Sequence, residues 1–308
     1  MLYDVIVVGS GISGLYAALY AQKTGAKVAV LTKGNPMRSN SAVASGGINA
    51  VINLGAYDSY LKHADDTVTG ADGLVHRKNV ERMCQEAPSI IHELSDMGVG
   101  FDMNEDDSIA QRPFGGGSAV RTCYIADRTG SAIVMSLLQK CRKEGIDILT
   151  NYKLLNILRF NEKLSGISVL RRKDSQVIAL ACKSLVLAGG GYAGVFRGHT
   201  TNAQESSGDV IAAAFRANIL LSNMEFVQFH PTTLVNSGSL VSEAARGEGA
   251  YLVDETGTRF TDELQTRDKL SRAIIEHINA GHQVFLDFRH LGEALINKKL
   301  PSSRKTAL

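Results

Sequence analysis

Apolar positions in the opening segment change period twice. Asp4-Val5-Ile6-Val7-Val8 is a short β-branched run, helical spacing follows the glycine-bounded segment 9–14 as far as about Thr24, and a second apolar run covers 27–31. Strand, helix and strand within about thirty residues predict a βαβ unit. Helical spacing returns at Val80, Met83, Ala87, Ile90, Ile91 and Leu94, predicting a helix over 79–97, and again over 128–143. Residues 146–188 then break into strand-like runs at 146–150, 154–160, 164–171, 176–181 and 185–188, which predicts a hairpin-rich insert. The pattern places the chain in the α/β class, with no tandem repeat or low-complexity tract.

Composition narrows the classes. With 308 residues and 44% hydrophobic content, one large domain or two modest ones can form a sizeable core. The 33 basic and 31 acidic residues are dispersed, giving a net charge of +2 and no basic run of the kind that tracks nucleic acid. Apolar runs fall short of a membrane span, and the predicted strand at residues 3–8 leaves no room before it for a signal segment, so a cytoplasmic chain is expected. Cys84, Cys123, Cys141 and Cys182 are widely separated with no Cys-x-x-Cys pair, which excludes a local iron-sulfur or zinc motif and predicts reduced core thiols.

Gly9-Ser10-Gly11-Ile12-Ser13-Gly14 stands between the first predicted strand and helix. Glycines there permit a tight turn and close backbone approach to a pyrophosphate, while the helix N-terminus offers N–H groups and partial positive charge. The acidic residue that binds an NAD ribose is missing from the end of the second strand, where Thr32-Lys33 stands, so FAD is the better-supported dinucleotide.

Later segments carry the remaining chemistry. Residues 34–50 are rich in small and polar types suited to a flat polar ligand, although a flexible Gly/Ser loop has the same composition. Phe114-Gly115-Gly116-Gly117 reads either as a ligand-approach loop or as an ordinary connection. Gly189-Gly190-Gly191 follows a strand, and Asp209 reads either as a cofactor ligand or as a helix N-cap. From His230 through Ser242-Glu243-Ala244-Ala245-Arg246 to Arg267, cationic and hydrogen-bonding groups gather without metal-ligand spacing. Arg and His donors of this kind suit a small carboxylate, with charge-assisted bonds about twice as strong as neutral ones.

Arg38-Ser39-Asn40-Ser41 with Ser45-Gly46-Gly47-Ile48, Ala126-Asp127-Arg128-Thr129-Gly130, Gln228-Phe229-His230-Pro231-Thr232, Glu243 to Gly249, and Thr266-Arg267-Asp268 together resemble the flavoprotein family of succinate dehydrogenase, fumarate reductase and L-aspartate oxidase. The resemblance runs over nearly the whole chain. It implies a Rossmann-like FAD-binding domain with a β-rich insert over 1–224, and a smaller α+β capping domain, incomplete here, over 225–308. By motif position Gly9, Gly11, Gly14, Thr32, Lys33, Ser39, Ser41, Ser45, Gly46, Gly47 and Asp209 would hold FAD. His230 and Ser242 would bind a substrate carboxylate, Arg267 would be the catalytic proton donor, and Glu243 with Arg246 would return its proton. A small dicarboxylate is the implied substrate and an iron-sulfur electron-transfer subunit the implied partner, with peripheral attachment to a membrane through other subunits.

Two departures separate the subfamilies. Asn40 stands where respiratory members carry the histidine that attaches FAD covalently, so the flavin is expected to be noncovalent. Phe114 stands where aspartate oxidases place a Glu toward the substrate amino group, and a phenyl ring cannot pair with an ammonium. Fumarate and succinate are therefore expected ahead of L-aspartate. The family's further His, Arg and C-terminal flavin segment are missing after Leu308, so the chain is read as an N-terminal fragment or as one whose remainder lies elsewhere. A noncatalytic flavin-binding remnant is the third reading.

Overall fold

The computed structural model describes residues 2–52, 57–235 and 237–307. Its elements in chain order are β1 (Leu2–Val8), α1 (Ile12–Lys23), β2 (Val28–Thr32), α2 (Asn40–Val43), β3 (Ile48–Asn49), α3 (Tyr60–Gly70), α4 (Arg77–Asp96), β4 (Gln111–Arg112), β5 (Thr122–Cys123) and α5 (Thr129–Lys143). They continue with β6 (Asp147–Thr150), β7 (Tyr152–Phe160), β8 (Lys163–Arg171), β9 (Gln176–Leu187), α6 (Asp209–Arg216), α7 (Glu243–Gly247), β10 (Tyr251–Val253), α8 (Arg267–Asn279), β11 (Phe285–Asp287), α9 (Glu293–Lys299) and α10 (Pro301–Ala307). Two compact units result, one of Met1–Ala44 with Gly130–Val227, the other of Ser45–Thr129 with Gln228–Leu308.

The first unit is built on a six-stranded sheet of order β6-β2-β1-β9-β8-β7. Strands β6, β2, β1 and β9 are parallel, and the β8 and β7 pairings are antiparallel. The βαβ unit and the α/β class expected from sequence are therefore present. β2 is buried along its whole length, which explains its unbroken apolar run in place of alternation. Tyr3, Ile6, Val8, Leu31, Leu154, Ile167 and Val169 pack with Ala213 of α6 into one core, each large side chain contributing about 1.5–3 kcal/mol on burial.

The expected insert differs in two ways. Its runs at 176–181 and 185–188 are one strand, β9, because 176–181 pairs with β8 and 181–187 pairs with β1. Hydrogen bonds on successive flanks carry it through Ala181-Cys182-Lys183-Ser184, whose weak strand character divided the pattern in sequence. The β7–β8 hairpin accordingly extends the central sheet, and β6 forms that sheet's opposite edge.

The second unit contains a three-stranded sheet β3-β5-β4 and the antiparallel pair β10-β11. Val80 and Cys84 of α4 pack on Ala64 of α3, and Leu252 of β10 packs on Leu270 and Ile274 of α8. The sequence boundary after residue 224 lies near the chain's re-entry at Gln228, but 45–129, assigned there to the first domain, group with the second unit. Hydrogen bonding explains the grouping. Asp127 accepts from the Ser302 and Ser303 amides at 3.1 and 2.8 Å, Gly116 N–H donates to Leu264 O at 2.8 Å, and Arg112 pairs with Glu248 at 3.2 Å. All four cysteines are free and buried. Burial raises the Cys123 and Cys141 thiols to about 11 and about 12, as inert core thiols require. Among the described residues no helix is long and apolar enough to cross a membrane.

Candidate functional site

The first unit holds a cleft of about 500 Å³ where β1, β2 and β9 end. Gly9, Gly11, Thr32, Lys33, Ser39, Ser41 and Asp209 all line it. Gly9 has φ +119°, and a Cβ there would lie 2.0 Å from Ala188 O; a Cβ on Gly14 would lie 2.0 Å from Gly9 O. The loop thus admits no side chain at either position, and Gly14, which does not line the cleft, packs against Gly9. Helix α1 starts at Ile12 immediately after the loop, so the positive end of its dipole serves the same space. Ser10 Oγ bonds Thr32 Oγ1 at 2.9 Å, and Ser41 Oγ accepts from Ile12 N at 3.2 Å, joining the three chain segments of the rim. This cradle, with its backbone donors and hydroxyls, fits a dinucleotide.

Asp209 is the first residue of α6, and the N-cap is Gly208 in the left-handed region at φ 71°. The N-cap reading of Asp209 therefore does not hold. Its carboxylate pairs with Lys33, lies 2.9 Å from Lys153 Nζ and accepts from Ser207 Oγ at 3.0 Å. Burial would raise its pKa, but hydrogen bonds from Lys33, Lys153 and Ser207 outweigh burial and hold it at about 2. Asn40 donates to Asn202 Oδ1 and accepts from Ala203 N at 2.9 Å, so both ends of its side chain are engaged. Ser45, Gly46 and Gly47 belong to the second unit. A Cβ on Gly46 would lie 2.5 Å from Phe114 Cζ.

A second cleft, of about 220 Å³, lies in the second unit. Glu243, Arg267, Gln228, Phe114 and Thr266 line it with the 115–117 glycines. Arg267 opens α8 and Glu243 opens α7, so two helix N-termini place the pair. Arg267 donates from Nε and Nη2 to Glu243 Oε2 at 2.9 and 2.7 Å, and from Nη1 to Gln228 Oε1 at 2.7 Å. Glu243 is 4% exposed, and its Oε2 lies 3.8 Å from Nη2 of Arg246, which is fully enclosed. Arg246 Nη1 donates to Glu263 O at 2.8 Å, whereas its Nε and Nη2 have no hydrogen-bond partner among the described residues. Burial pushes the Arg246 pKa down against the opposing charge of Glu243. One carboxylate therefore stands between a guanidinium that opens on the cleft and another sealed from water.

The 114–117 loop is more than a connection. A Cβ on Gly115 would fall 2.5 Å from Glu243 Oε1, so backbone covers the carboxylate where no side chain fits. His230 and Ser242 do not line the second cleft. His230 is half-buried, with Nδ1 3.0 Å from Thr232 O and 3.3 Å from Thr232 N. Burial, then the Arg267 charge, lowers its pKa to about 4, leaving a neutral imidazole at physiological pH. Ser242 is the N-cap of α7, accepting from Ala244 N at 3.1 Å. Glu248 and Arg259, given no role from sequence, pair with Arg112 and Glu263.

Sequence reading gave no role to Gln228, His63, Asp66 or Arg121, all of which line the second cleft. Gln228 sat inside a recognised motif and could have been found there. Arg121 carried no local signal, because its partners Asp58 and Asp66 are on and beside α3, far away in sequence.

The FAD binding domain family matches residues 4–308. The succinate dehydrogenase flavoprotein subunit of Rickettsia bellii (strain RML369-C) is 38% identical over 328 residues, spanning 99% of this chain and 55% of that protein. The 8-methylmenaquinol:fumarate reductase flavoprotein subunit of Wolinella succinogenes is 36% identical over 321 residues, spanning 99% and 52%. Among solved structures, a quinol-fumarate reductase with menaquinol molecules superposes with a TM-score of 0.90 at 32% identity, covering 98% of this chain and 57% of that one. An E. coli quinol fumarate reductase variant gives 0.88 at 31%, covering 98% and 56%. The chain spans about half the length of the curated relatives it matches.

Proposed function

The chain belongs to the FAD binding domain family, on the side of the succinate dehydrogenase and fumarate reductase flavoproteins, and on that footing we propose that it serves in interconverting fumarate and succinate. Bound FAD supplies hydride exchange with one carbon of the substrate double bond. Gly9, Gly11, Gly14, Thr32, Lys33, Ser39, Ser41, Ser45, Gly46, Gly47 and Asp209 hold it, and noncovalently, since the Asn40 amide has no nucleophilic nitrogen to bond the flavin. Arg267 delivers the proton to the neighbouring carbon. Arginine is a poor acid, with pKa above about 12, so it acts only where a route returns its proton. Glu243, hydrogen-bonded to Arg267 and beside Arg246, provides that route. His230 and Ser242 bind the substrate carboxylate on which charge develops, where preorganised donors lower the barrier most.

The Arg267–Glu243–Arg246 chain beside a small polar cleft is the observation that carries this reading. Phe114 on that cleft favours a dicarboxylate without an amine over L-aspartate. An iron-sulfur subunit is the electron partner, and the assembly sits on the cytoplasmic face of a membrane through other subunits. The test is reoxidation of the dithionite-reduced flavoprotein by fumarate, together with oxidation of succinate against L-aspartate. Fumarate-dependent reoxidation that is lost in Arg267→Gln, with flavin retained, is the expected result. Preferential L-aspartate oxidation would make the protein an aspartate oxidase, and flavin retention with neither activity would make it a binding remnant.

A further inference from the structure

We propose that Asp254, His277 and His282 form a site for a divalent transition-metal ion of the zinc type, fastening the C-terminal end of α8 to the turn after β10. No spacing in the sequence announces it, since His277 and His282 stand five apart and Asp254 lies in a different segment. The fold brings one ligand atom of each within 4.8 Å of the others.

The three side chains are prepared to different degrees. Asp254 is buried, and its Oδ1 accepts from Thr256 N at 2.9 Å, Thr258 N at 2.9 Å and Thr256 Oγ1 at 2.6 Å. The turn therefore fixes one carboxylate oxygen and leaves Oδ2 facing His277 Nε2 at 3.8 Å. That separation is too long for a hydrogen bond, and among the described residues the buried Nε2 has no other partner. Phe260 stacks on the His277 ring at 4.0 Å with planes 2° apart, so the ring cannot turn freely to find one. A buried ring nitrogen without a partner is costly, and an ion bound about 2.0–2.2 Å from both atoms removes that cost.

His282 is the adjustable arm. It follows Gly281, whose φ is +98°, and its side chain is 41% exposed. Its ring stacks on His277 at 4.3 Å, and its Nδ1 lies 3.0 Å from Glu255 Oε1. With Nδ1–H donated to Glu255, the remaining nitrogen is the basic one, the carboxylate–histidine pairing common behind metal-bound imidazoles. A swing of this exposed ring out of the stack closes the set. Two imidazoles and one carboxylate select zinc-like ions over Mg²⁺ or Ca²⁺, which prefer oxygen ligands alone. Three protein ligands leave a fourth position for water.

The experiment uses the full chain with its flavin, treated with chelator and then titrated with ZnCl₂ by calorimetry, and with Co²⁺ followed by its visible absorption. One ion per chain is expected with micromolar or tighter affinity, a four-coordinate Co²⁺ spectrum, and a Tm several degrees higher in excess zinc. His282→Ala, on the exposed arm, should weaken binding at least tenfold with flavin content and the metal-free Tm unchanged. His277→Ala/His282→Ala should abolish it. Zinc binding that is absent, or that persists at full strength in the double variant, overturns the proposal. The flavin chemistry plays no part in this outcome.

Discussion

Both Nε and Nη2 of Arg267 donate to the same oxygen of Glu243, at 2.9 and 2.7 Å, while Arg246 approaches that oxygen from the enclosed side at 3.8 Å. One carboxylate oxygen is therefore shared between two guanidiniums, one open to the cleft and one enclosed. This sharing distinguishes the arrangement from a surface ion pair, which is worth about 0–1 kcal/mol.

Replacing the shared carboxylate separates proton return from binding. Glu243→Gln keeps an acceptor for Arg267 but removes the charge between the two arginines. Flavin retention and succinate binding should change by no more than several-fold. Fumarate-dependent reoxidation, followed by stopped flow, should fall by about 10²–10⁴, the range for losing a positioned acid or base. Turnover within tenfold of the parent would remove Glu243 from the proton route.

His230 makes a pH-dependent prediction whose sign is fixed. Its folded pKa is about 4, below the ordinary 6.5, because burial and then Arg267 disfavour the imidazolium. The unfolded chain therefore binds the extra proton first as pH falls. Stability is complete above about 6.5 and declines toward 4, at about 1.4 kcal/mol per unit. Urea unfolding of the parent and His230→Asn should show a slope between pH 6.5 and 4.5 that the variant reduces by about 2 kcal/mol over the interval. Equal slopes would mean that this imidazole charges as freely folded as unfolded.

The sequence was legible where chemistry and local pattern coincide. The strand–glycine–helix of residues 4–24 read correctly because glycines there answer local backbone demands, as the φ of +119° at Gly9 and the approach of Gly14 to Gly9 O show. The α7 turn was equally open, because Glu243 and Arg246 are three apart and share a helical face. Three things were not. β9 was divided because its middle is held by partners distant in sequence. Residues 45–129 were assigned to the first domain because nothing local reveals that Asp127 binds Ser303, or that Gly116 binds Leu264. The burial that shifts His230 comes from surrounding packing that no motif encodes.

Asp209 ties the second strand to the start of α6. Burial works against its charge, but Lys33, Lys153 and Ser207 keep it ionised with a pKa of about 2. A carboxylate depressed in this way contributes stability that is present above about 4 and is lost as pH falls through 4 to 2. Asp209→Asn should therefore cost about 1–3 kcal/mol near pH 7, with the difference from the parent shrinking below pH 4. Flavin affinity should fall with it, because the freed lysines face the first cleft. Chemical denaturation at pH 7 and pH 3, with flavin fluorescence as a second readout, provides the check; a constant difference across that range would refute the ionised-pair account.

Arg121 is 1% exposed and carries a second enclosed charge cluster beside the second cleft. Its Nε and Nη2 donate to Asp58 at 3.0 and 2.7 Å, and its Nη1 donates to Asp66 at 2.5 Å. Asp66 also accepts from Ser118 N at 2.9 Å, so one arginine holds α3 against the loop that follows the glycines. Burial opposes ionisation of both carboxyls, and the Arg121 hydrogen bonds reverse that and lower their pKa values. Arg121→Met should strand two half-enclosed carboxylates and cost about 3–5 kcal/mol at pH 7. Without the guanidinium both carboxyls rise toward burial-controlled values, so the variant recovers part of its deficit as pH is lowered from 7 to 4. Adding Asp58→Asn and Asp66→Asn should restore much of the loss, because no charge is then left unpaired. A deficit independent of pH and unrelieved by the asparagines would assign Arg121 to packing alone.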